Sequence, residues 1–327
     1  MAHFSASPIP ALHETAARPA VEILLAAPRG FCAGVRRAVD AVDSAIDRFG
    51  APVYVRRAIV HNMEVVRALE RRGAIFVEEL DEVPTGAVVI FSAHGVAREI
   101  EAQAETRGLR WFDAVCPLVR KVHREVAAHH QSGRRILLIG HDGHPEVIGT
   151  TGRLAPGQVT LVRNADEVAG LDLDRDAPVA YAVQTTFSAD EAHDTVAALE
   201  ARFSDLAGPR RSDICYATTN RQAAAKAIAG RVEAMLVAGD PLSSNAARLC
   251  EVALLAGCPR VDLVASADEI DWEAFGTPAS IGITAAASAP EHIVDGLLEA
   301  LRSRFDTRVE EAGAVLETTV FKPLEFG

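Results

Sequence analysis

The amino-acid sequence predicts an α/β protein made of three small α/β domains in a pseudo-threefold arrangement around one central site. Short apolar runs alternate with amphipathic stretches of helical period along the chain, which is typical of parallel sheets covered by helices. About nine such strand–helix units are too many for one small domain. The unusual polar residues follow the apolar runs, and ligands of such folds bind beyond the C-terminal ends of the strands.

Each apolar run is predicted to form a strand, and the segment after it a polar loop and then a helix. In chain order the runs are 21–28, 53–60, 87–93, 111–115, 134–140, 179–184, 212–214, 234–239 and 279–284. Gly50, Gly73, Gly108 and Gly133 fall where the first helical stretches end. Glycine is favoured just past a helix C-terminus, because it adopts the left-handed backbone conformation that closes the last turn.

The chain is expected to divide into segments that follow these units. They are a disordered N-terminal extension (1–20), a first domain (33–115), a second domain (116–212), a third domain (213–301) that also takes the strand region 21–32, and a C-terminal tail (302–327). The extension has neither a basic start nor a continuous apolar core, so it does not resemble a secretory signal. We therefore expect a cytoplasmic protein, in which thiols stay reduced.

Charge and hydropathy exclude several classes of partner. The formal net charge of −12 argues against nucleic acid, because sequence-independent binding needs a basic face. The chain has no apolar run of membrane-spanning length, so no membrane association is expected. Neither a GxxxxGK[ST] nor a GxGxxG pattern is present, so a nucleotide fold is not supported.

The five cysteines fall into two groups. Their odd number and wide spacing argue against a disulfide scaffold. Cys250 and Cys258 lie in an apolar helical stretch, where cysteine acts as a small buried residue. Cys32, Cys116 and Cys215 each lie at a strand–helix junction, and a helix N-terminus stabilises a thiolate. Two interpretations stay open: three buried core cysteines, or three ligands of a soft metal or an iron–sulfur cluster. Structural zinc normally takes four ligands with closer pairs.

A second set of junction residues resembles an anion site, because helix N-termini offer free N–H groups to phosphate. The set comprises His61, His94, His144, Ser243, Ser244, Asn245 and Ser288. The chain has three lysines and none lies in these loops, so the donors would be imidazole, hydroxyl and amide groups. Glu146 is either a solvated helix-start carboxylate or a proton donor. Thr185 is either an N-cap or a substrate contact.

A set of short strings, in a fixed order, resembles the 4-hydroxy-3-methylbut-2-enyl diphosphate reductase family. From Pro28 to Pro290 the strings are PRGFCAGV, VHN, SAHGV, DAVCPLV, GHDGHPEV, QTTFS, DICYATTNRQ, SSN and ASAP. The resemblance implies reductive dehydroxylation of (E)-4-hydroxy-3-methylbut-2-enyl diphosphate to isopentenyl diphosphate and dimethylallyl diphosphate. Electrons would pass through a 4Fe–4S cluster at the central site, and the reaction would be the last step of the non-mevalonate isoprenoid pathway.

The resemblance also implies roles for individual residues. Cys32, Cys116 and Cys215 would ligate three irons of the cluster, and the fourth iron would lack a protein ligand and bind the substrate hydroxyl. Glu146 and Thr185 would lie at the hydroxyl end of the substrate, with Glu146 relaying protons. The residues that would bind the diphosphate are His61, His94, His144, Ser243, Ser244, Asn245 and Ser288. His144 is also assigned to proton delivery. Thr218 and Asn220 would lie close to the same pocket.

The implied partners are the small allylic diphosphate and an electron-carrier protein, such as a flavodoxin or a ferredoxin with its reductase. A carrier is needed because no flavin or nicotinamide motif is visible. Two rival functions are a non-redox iron–sulfur dehydratase and a cluster-based redox or iron sensor. A sensor should carry a DNA-binding or partner-binding module, and none is apparent after the last α/β unit.

The chain departs from the family pattern at two places. Asp240, Pro241 and Leu242 precede the SSN string, where the family usually has polar residues. Ala286 stands where the family usually has glycine, and an added methyl group would force a backbone adjustment if that position needed a positive φ. Both departures concern the expected diphosphate pocket rather than the cysteines.

Overall fold

A computed structural model describes residues 18–313 and 315–327, and it has an α/β fold with three parallel sheets. The strands are β1 (Ala20–Ala26), β2 (Val53–Arg56), β3 (Ala74–Val77), β4 (Val88–Phe91), β5 (Arg110–Asp113), β6 (Arg135–Ile139), β7 (Val159–Val162), β8 (Val179–Val183), β9 (Leu206–Ala207), β10 (Ala234–Ala238), β11 (Val261–Val264), β12 (Ser280–Ala285) and β13 (Asp306–Ala312). The predicted α/β class with parallel sheets is confirmed.

Helices connect these strands and cover the sheets. They are α1 (Ala33–Phe49), α2 (Met63–Arg72), α3 (Arg98–Thr106), α4 (Pro117–Gln131), α5 (Pro145–Thr151), α6 (Ala165–Val168), α7 (Ala189–Arg202), α8 (Tyr216–Ala229), α9 (Ser244–Leu255), α10 (Trp272–Phe275) and α11 (Glu291–Arg304). Gly73 closes α2 with a φ of 108°, as predicted for a glycine at that position. Among the described residues, no helix is long and apolar enough to cross a membrane.

The first sheet joins the beginning of the chain to its end. Its strand order is β11-β10-β12-β1-β13, and every neighbouring pair is parallel. Ile23 of β1 lies opposite Ile281 on one side and Val309 on the other. A hydrophobic core lies on each face of this sheet, and successive residues of β1 point into different cores. Ile23 lies in one core and Leu24 in the other. Both faces are therefore buried, which explains why these strands are continuous apolar runs.

The other two sheets follow the same plan with four strands each. The second sheet has the order β3-β2-β4-β5, and the third has the order β7-β6-β8-β9. All of their pairings are parallel, so the loops that leave the C-terminal ends of the strands emerge at one edge of each sheet. The predicted site residues lie on these loops and on the helix starts that follow them.

One predicted strand, 212–214, is wrong. This segment is a loop, and its Asp213 is buried with hydrogen bonds from the backbone N–H of Val183 and from the Lys121 ammonium group. A buried carboxylate needs such partners, and they hold the segment away from the regular pairing of a strand. The strand that completes the third sheet is instead the short β9.

The two ends of the chain differ from simple tails. The predicted disordered extension 1–20 lies outside the described residues up to position 17, and Ala20 begins β1. In the expected tail 302–327, β13 forms an edge strand beside β1. Its sequence DTRVEEA alternates charged and less polar residues, which suits a half-exposed edge rather than a buried strand. The remaining domain boundaries stay a prediction.

Residues 315–327, called here the C-terminal segment, leave the first sheet and return to the second. Phe326 packs against Phe49 and Phe112 with ring centroids 5.5 Å and 4.9 Å apart. Glu317 pairs with the fully buried Arg221 at 2.9 Å. The C-terminal segment therefore fastens the first and second sheets to each other.

Candidate functional site

Loops from all three sheets surround a single cavity. Thirteen of the fourteen residues assigned to the site from sequence line it: Cys32, His61, His94, Cys116, His144, Glu146, Thr185, Cys215, Thr218, Ser243, Ser244, Asn245 and Ser288. The cavity lies where helices α1, α4, α5, α8 and α9 begin, beyond the C-terminal ends of the strands. Parallel strands bring their following loops to one edge, so the cavity lies where such folds bind ligands.

The three junction cysteines each stand at a helix N-terminus facing the cavity. Cys32, Cys116 and Cys215 are the N-cap residues of α1, α4 and α8. The Sγ atom of Cys32 accepts a hydrogen bond from the backbone N–H of Val35 at 3.4 Å. The Sγ atom of Cys215 accepts from the N–H of Thr218 at 3.3 Å. Free amides at a helix start favour negative charge on sulfur, so these positions suit thiolate ligands.

Gly34 allows the cysteines to approach one another. A Cβ atom at this position would lie 2.6 Å from the Sγ atom of Cys116 and 3.8 Å from that of Cys32. Any larger residue would therefore displace the Cys116 thiol. Gly34 was not among the residues assigned from sequence, although it follows Cys32 by two positions in the GFCAGV string.

Burial raises the pKa of two of these thiols. The pKa of Cys116 rises to about 12 and that of Cys215 to about 11, with proximity to Cys32 adding to both shifts. The thiols would stay neutral at pH 7 unless a cation compensated for the loss of solvent, and a bound metal does so. In the described part of the chain, no three His, Cys, Asp or Glu side chains are arranged to hold one metal ion.

Cys250 and Cys258 lie away from the cavity, in the core behind α9. Cys258 is buried, and its thiol donates to the carbonyl oxygen of Arg260 at 3.0 Å. Cys250 is half-buried within α9, whereas Cys258 follows the end of that helix instead of lying within it. Their surroundings fit the predicted packing role.

Three imidazole rings form one wall of the cavity. The centroid of His61 lies 4.2 Å from that of His94 and 5.6 Å from that of His144. The backbone N–H of Glu146 donates to Nδ1 of His144 at 3.1 Å, so the proton of a neutral His144 ring must be on Nε2. Burial lowers the pKa of all three rings, that of His144 to about 3. The rings are therefore neutral N–H donors until an anion binds.

Two buried polar atoms beside these rings have no hydrogen-bond partner among the described residues. They are Nε2 of His61 and Nδ2 of Asn245. Oδ1 of Asn245 accepts from the backbone N–H of Ala287 at 2.9 Å, which leaves the amide nitrogen as a donor for the cavity. The Ser288 hydroxyl donates to the carbonyl oxygen of His61 at 2.9 Å and joins the two loops. Unpaired buried donors are costly, so this wall is built to receive acceptor oxygens.

Glu146 lines the same cavity with its carboxylate fully buried. Its Oε1 accepts the backbone N–H of Thr185 at 2.7 Å, and its Oε2 accepts the Thr185 hydroxyl at 2.8 Å. Burial raises the pKa of Glu146 to about 7, although both Thr185 hydrogen bonds lower it. A carboxyl group with this pKa holds a proton part of the time at neutral pH, as a general acid requires. This geometry favours the proton-donor interpretation over a solvated helix-start carboxylate.

The two departures from the family pattern are accommodated. The Asp240 carboxylate accepts the backbone N–H groups of Met63 and Leu242 at 3.0 Å and 2.9 Å, so it links the loop before α9 to the start of α2. Within the described residues Arg57 is the one non-glycine residue with a positive φ. Ala286 therefore lies outside the left-handed region, and its N–H donates to the carbonyl oxygen of Ala238 at 2.8 Å. Its methyl group consequently requires no backbone adjustment.

The structure and the assignments differ at two further residues. Asn220 does not line the cavity, because its amide donates to Glu317 of the C-terminal segment at 3.0 Å. Its expected position near the substrate is not supported. Thr186 lines the cavity as well, although it was not among the residues assigned from the sequence. It accepts a hydrogen bond from Gln184 at 2.7 Å, and its place beside Thr185 in the QTTFS string was the available signal.

Fold and cavity together define an α/β protein in which three thiols line the same pocket as a set of neutral hydrogen-bond donors. The LytB protein family model matches residues 23–302, and the chain belongs to this family. A 4-hydroxy-3-methylbut-2-enyl diphosphate reductase of Cereibacter sphaeroides is 54% identical, with 93% of this chain and 95% of the relative covered. The enzyme of the same name from Methylocella silvestris is 52% identical, with 94% and 96% covered.

Solved structures extend the similarity to the fold. The E-1-hydroxy-2-methyl-but-2-enyl-4-diphosphate reductase of Plasmodium falciparum superimposes with a TM-score of 0.87 at 34% identity, covering 94% of this chain and 96% of that one. A structure described as (E)-4-hydroxy-3-methyl-but-2-enyl diphosphate reductase, the terminal enzyme of the non-mevalonate pathway, has a TM-score of 0.62 at 29% identity, covering 86% and 99%.

Proposed function

We infer that this chain reduces (E)-4-hydroxy-3-methylbut-2-enyl diphosphate to isopentenyl diphosphate and dimethylallyl diphosphate, the last step of the non-mevalonate pathway. Relatives more than half identical over nearly the whole chain carry this enzyme's name. The observation that carries the inference is a single cavity with three thiols, a buried carboxyl group and unpartnered anion donors. The substrate has a matching hydroxyl at one end and a diphosphate at the other.

The proposed cofactor is a 4Fe–4S cluster held by Cys32, Cys116 and Cys215. Three soft thiolate ligands fit such a cluster, in which each cysteine binds a different iron. The glycine at position 34 leaves room for the Cys116 thiol to approach that of Cys32. When bound, the cluster would supply electrons one at a time and, through the iron that has no cysteine, Lewis acidity toward the substrate hydroxyl.

The diphosphate would bind to the histidine and helix-start wall. The residues proposed to bind it are His61, His94, His144, Ser243, Ser244, Asn245 and Ser288. Neutral imidazoles and amides bind the anion through N–H groups, and the negative charge would raise the lowered pKa values of the rings. Anchoring the remote diphosphate also holds the hydroxyl end beside Glu146, so binding energy is used for orientation.

Glu146 would deliver the proton that lets the hydroxyl depart as water. The full reaction takes up two electrons and two protons, breaks the C–O bond and forms a C–H bond at either end of the allyl group. Expulsion of hydroxide is unfavourable, and a carboxyl group with a pKa of about 7 avoids it. Thr185 holds both oxygens of Glu146 and is the second proposed catalytic residue, whereas His144 stays a candidate for proton delivery at the diphosphate side.

An electron-carrier protein, such as a flavodoxin or a ferredoxin with its reductase, would supply the electrons, and we propose the cytoplasm as the compartment. The test is anaerobic turnover of the allylic diphosphate with reduced viologen after reconstitution with iron and sulfide. Two electrons should be consumed for each substrate, and two isomeric products should form. A dehydratase would convert substrate without oxidising viologen, and a sensor would do neither.

A further inference from the structure

We propose that an acidic one-electron carrier protein docks in a surface groove between α1 and the C-terminal segment. This inference rests on the proposed function, because it names the place where the electrons enter. Residues that line the groove include Ala33, Arg36, Tyr216, Glu317, Val320 and Phe321. None of the groove's lining residues also lines the substrate cavity, so a carrier bound here would leave the substrate's place free.

The groove reaches the backs of two cysteine loops. Ala33 and Tyr216 directly follow Cys32 and Cys215, and the backbone N–H of Ala33 donates to the Tyr216 hydroxyl at 3.3 Å. The two residues form a thin wall, with the groove on one side and the thiols on the other. A protein seated in the groove would therefore contact the residues next to two of the three cysteines.

The C-terminal segment gives this groove an apolar margin. Val320 lines the groove and is 87% exposed, and Leu316, a few residues earlier, is 85% exposed. Val315 is also exposed, so three of the nine large apolar side chains exposed in the described residues lie within one stretch of six. An apolar patch bordered by charged groups is the usual make-up of a protein-binding surface, whereas scattered single residues carry no such meaning.

Two arginines of the groove, Arg36 and Arg37, form no ion pair with any described residue. Of the three carboxylates that also line it, two already have partners, because Asp43 pairs with Arg72 and Glu317 with Arg221. Arg36 is exposed and follows Cys32 by four residues. On a protein of net charge −12, these two cations beside Cys32 would attract an acidic partner and orient it.

The electron count of the proposed reaction fits a one-electron carrier. Each docking event would oxidise the carrier by one electron, and two events would supply the two electrons that the loss of one hydroxyl as water consumes.

The test compares two reductants on the reconstituted holoenzyme. Arg36→Glu combined with Val320→Asp reverses the charge and removes the apolar contact, and glutamate in the first turn of α1 is favourable for the helix. The matched control is Arg67→Glu with Leu255→Asp, which alters an exposed arginine on α2 and an equally exposed leucine at the end of α9. Binding of an acidic oxidised [2Fe–2S] ferredoxin and turnover with its reduced form are measured at low and high salt.

The groove variant should bind ferredoxin at least tenfold more weakly, lose the salt dependence of the ferredoxin-driven rate and keep its turnover with reduced viologen. The control should behave as the wild type in all three measurements. Unchanged ferredoxin binding in the groove variant would overturn the docking site. A raised KM for the diphosphate with viologen would instead assign the cations to substrate attraction, and would also overturn it. Absence of viologen turnover in the wild type would count against the proposed function, whereas ferredoxin binding still tests the groove.

Discussion

Thr185 donates its backbone N–H and its hydroxyl to the two different carboxylate oxygens of Glu146, at 2.7 Å and 2.8 Å. The pair joins the start of α5 to the loop after β8, and it leaves the carboxyl group no freedom to rotate. The same hydrogen bonds favour the charged form, whereas burial favours the protonated form, and burial has the larger effect on the pKa. The outcome is a carboxyl group that is held in place and has a pKa of about 7.

Replacing Glu146 by Gln should abolish turnover while leaving the cofactor and substrate binding intact. Gln keeps the size of the side chain and can still pair with Thr185, but it cannot release a proton. We expect kcat to fall by about 10² or more, the range of acid–base catalysis. Single-turnover kinetics at saturating substrate, with iron content measured alongside, is the check. Normal turnover by Glu146→Gln would show that Glu146 is not the proton donor. Thr185, His144 or the diphosphate would then have to supply the proton.

The rate of the chemical step should fall as the pH rises through about 7. The pKa of Glu146 is raised to about 7, so its acid form predominates below that pH and is lost above it. For a general acid, the rate above the pKa decreases by about tenfold per pH unit. Single-turnover rates between pH 6 and 9 measure this decrease. The single-turnover rate of Glu146→Gln should not decrease over this range. An identical decrease in both proteins would assign the titration to another group.

Serine substitutions should divide the cysteines into two groups. Cys32→Ser, Cys116→Ser and Cys215→Ser should each lose most of the iron or the activity, because a hydroxyl is a poor ligand for soft metals. Cys250→Ser and Cys258→Ser should retain both, since these residues pack behind α9. Iron and sulfide analysis of anaerobically purified proteins is the measurement. Comparable iron loss in the second pair would contradict the assignment of the three ligands.

The amide of Asn245 should contribute to diphosphate affinity through its unpartnered Nδ2 atom. Asn245→Ala removes the donor, and Asn245→Asp replaces it by a negative charge in the same volume. We expect substrate affinity to fall by about tenfold for alanine, equivalent to 1.4 kcal/mol, and further for aspartate because of repulsion. Substrate titration of the oxidised holoenzyme measures both. An Asp variant that bound as tightly as the wild type would exclude Asn245 from the anion site.

The Arg221–Glu317 pair should stabilise the fold far more than a surface pair does. Arg221 is fully buried and donates to the carbonyl oxygen of Gly30 as well as to Glu317, so Arg221→Met leaves the remaining acceptors unpaired. Breaking such a pair costs about 3–5 kcal/mol. Arg231→Met breaks the half-exposed Arg231–Glu310 pair and should cost about 0–1 kcal/mol. The two variants are compared by their urea unfolding midpoints and by the rate of proteolysis of the C-terminal segment. Equal midpoints would contradict the larger stabilising effect of the buried Arg221–Glu317 pair.

The strands could be predicted from sequence where they are buried on both faces. Such strands are uninterrupted apolar runs, and β1, β10 and β12 are of this kind. The charged sequence of β13 carries no such signal, because an edge strand needs only one apolar face. The run 212–214 shows the opposite error, in which a short string was assigned to a strand although Asp213 binds the backbone of another segment.

The convergence of the candidate residues could be predicted because the fold brings the junctions that follow the nine predicted strands to one cavity. Unusual residues at those junctions are therefore near one another even when they are far apart in sequence, as Cys32 and Cys215 are. Asn220 could not be assigned correctly in this way. It lies one turn inside α8, where the helix rotation and the partner Glu317 decide which way its side chain points. The groove beside α1 and the Arg221–Glu317 pair also depend on the C-terminal segment, which is far from both in sequence.

The pairing of β1 with β12 and β13 has a consequence for the order of events during synthesis. β1 leaves the ribosome first of the described strands, yet both of its neighbours are encoded more than 250 residues later. Translation proceeds at about 5–20 residues per second, so β1 waits for many seconds before its sheet can close. The loop that carries Cys32 is not held against the other two cysteines during that interval. A cofactor held by the three cysteines, as proposed, would therefore be inserted only after β12 and β13 have been synthesised.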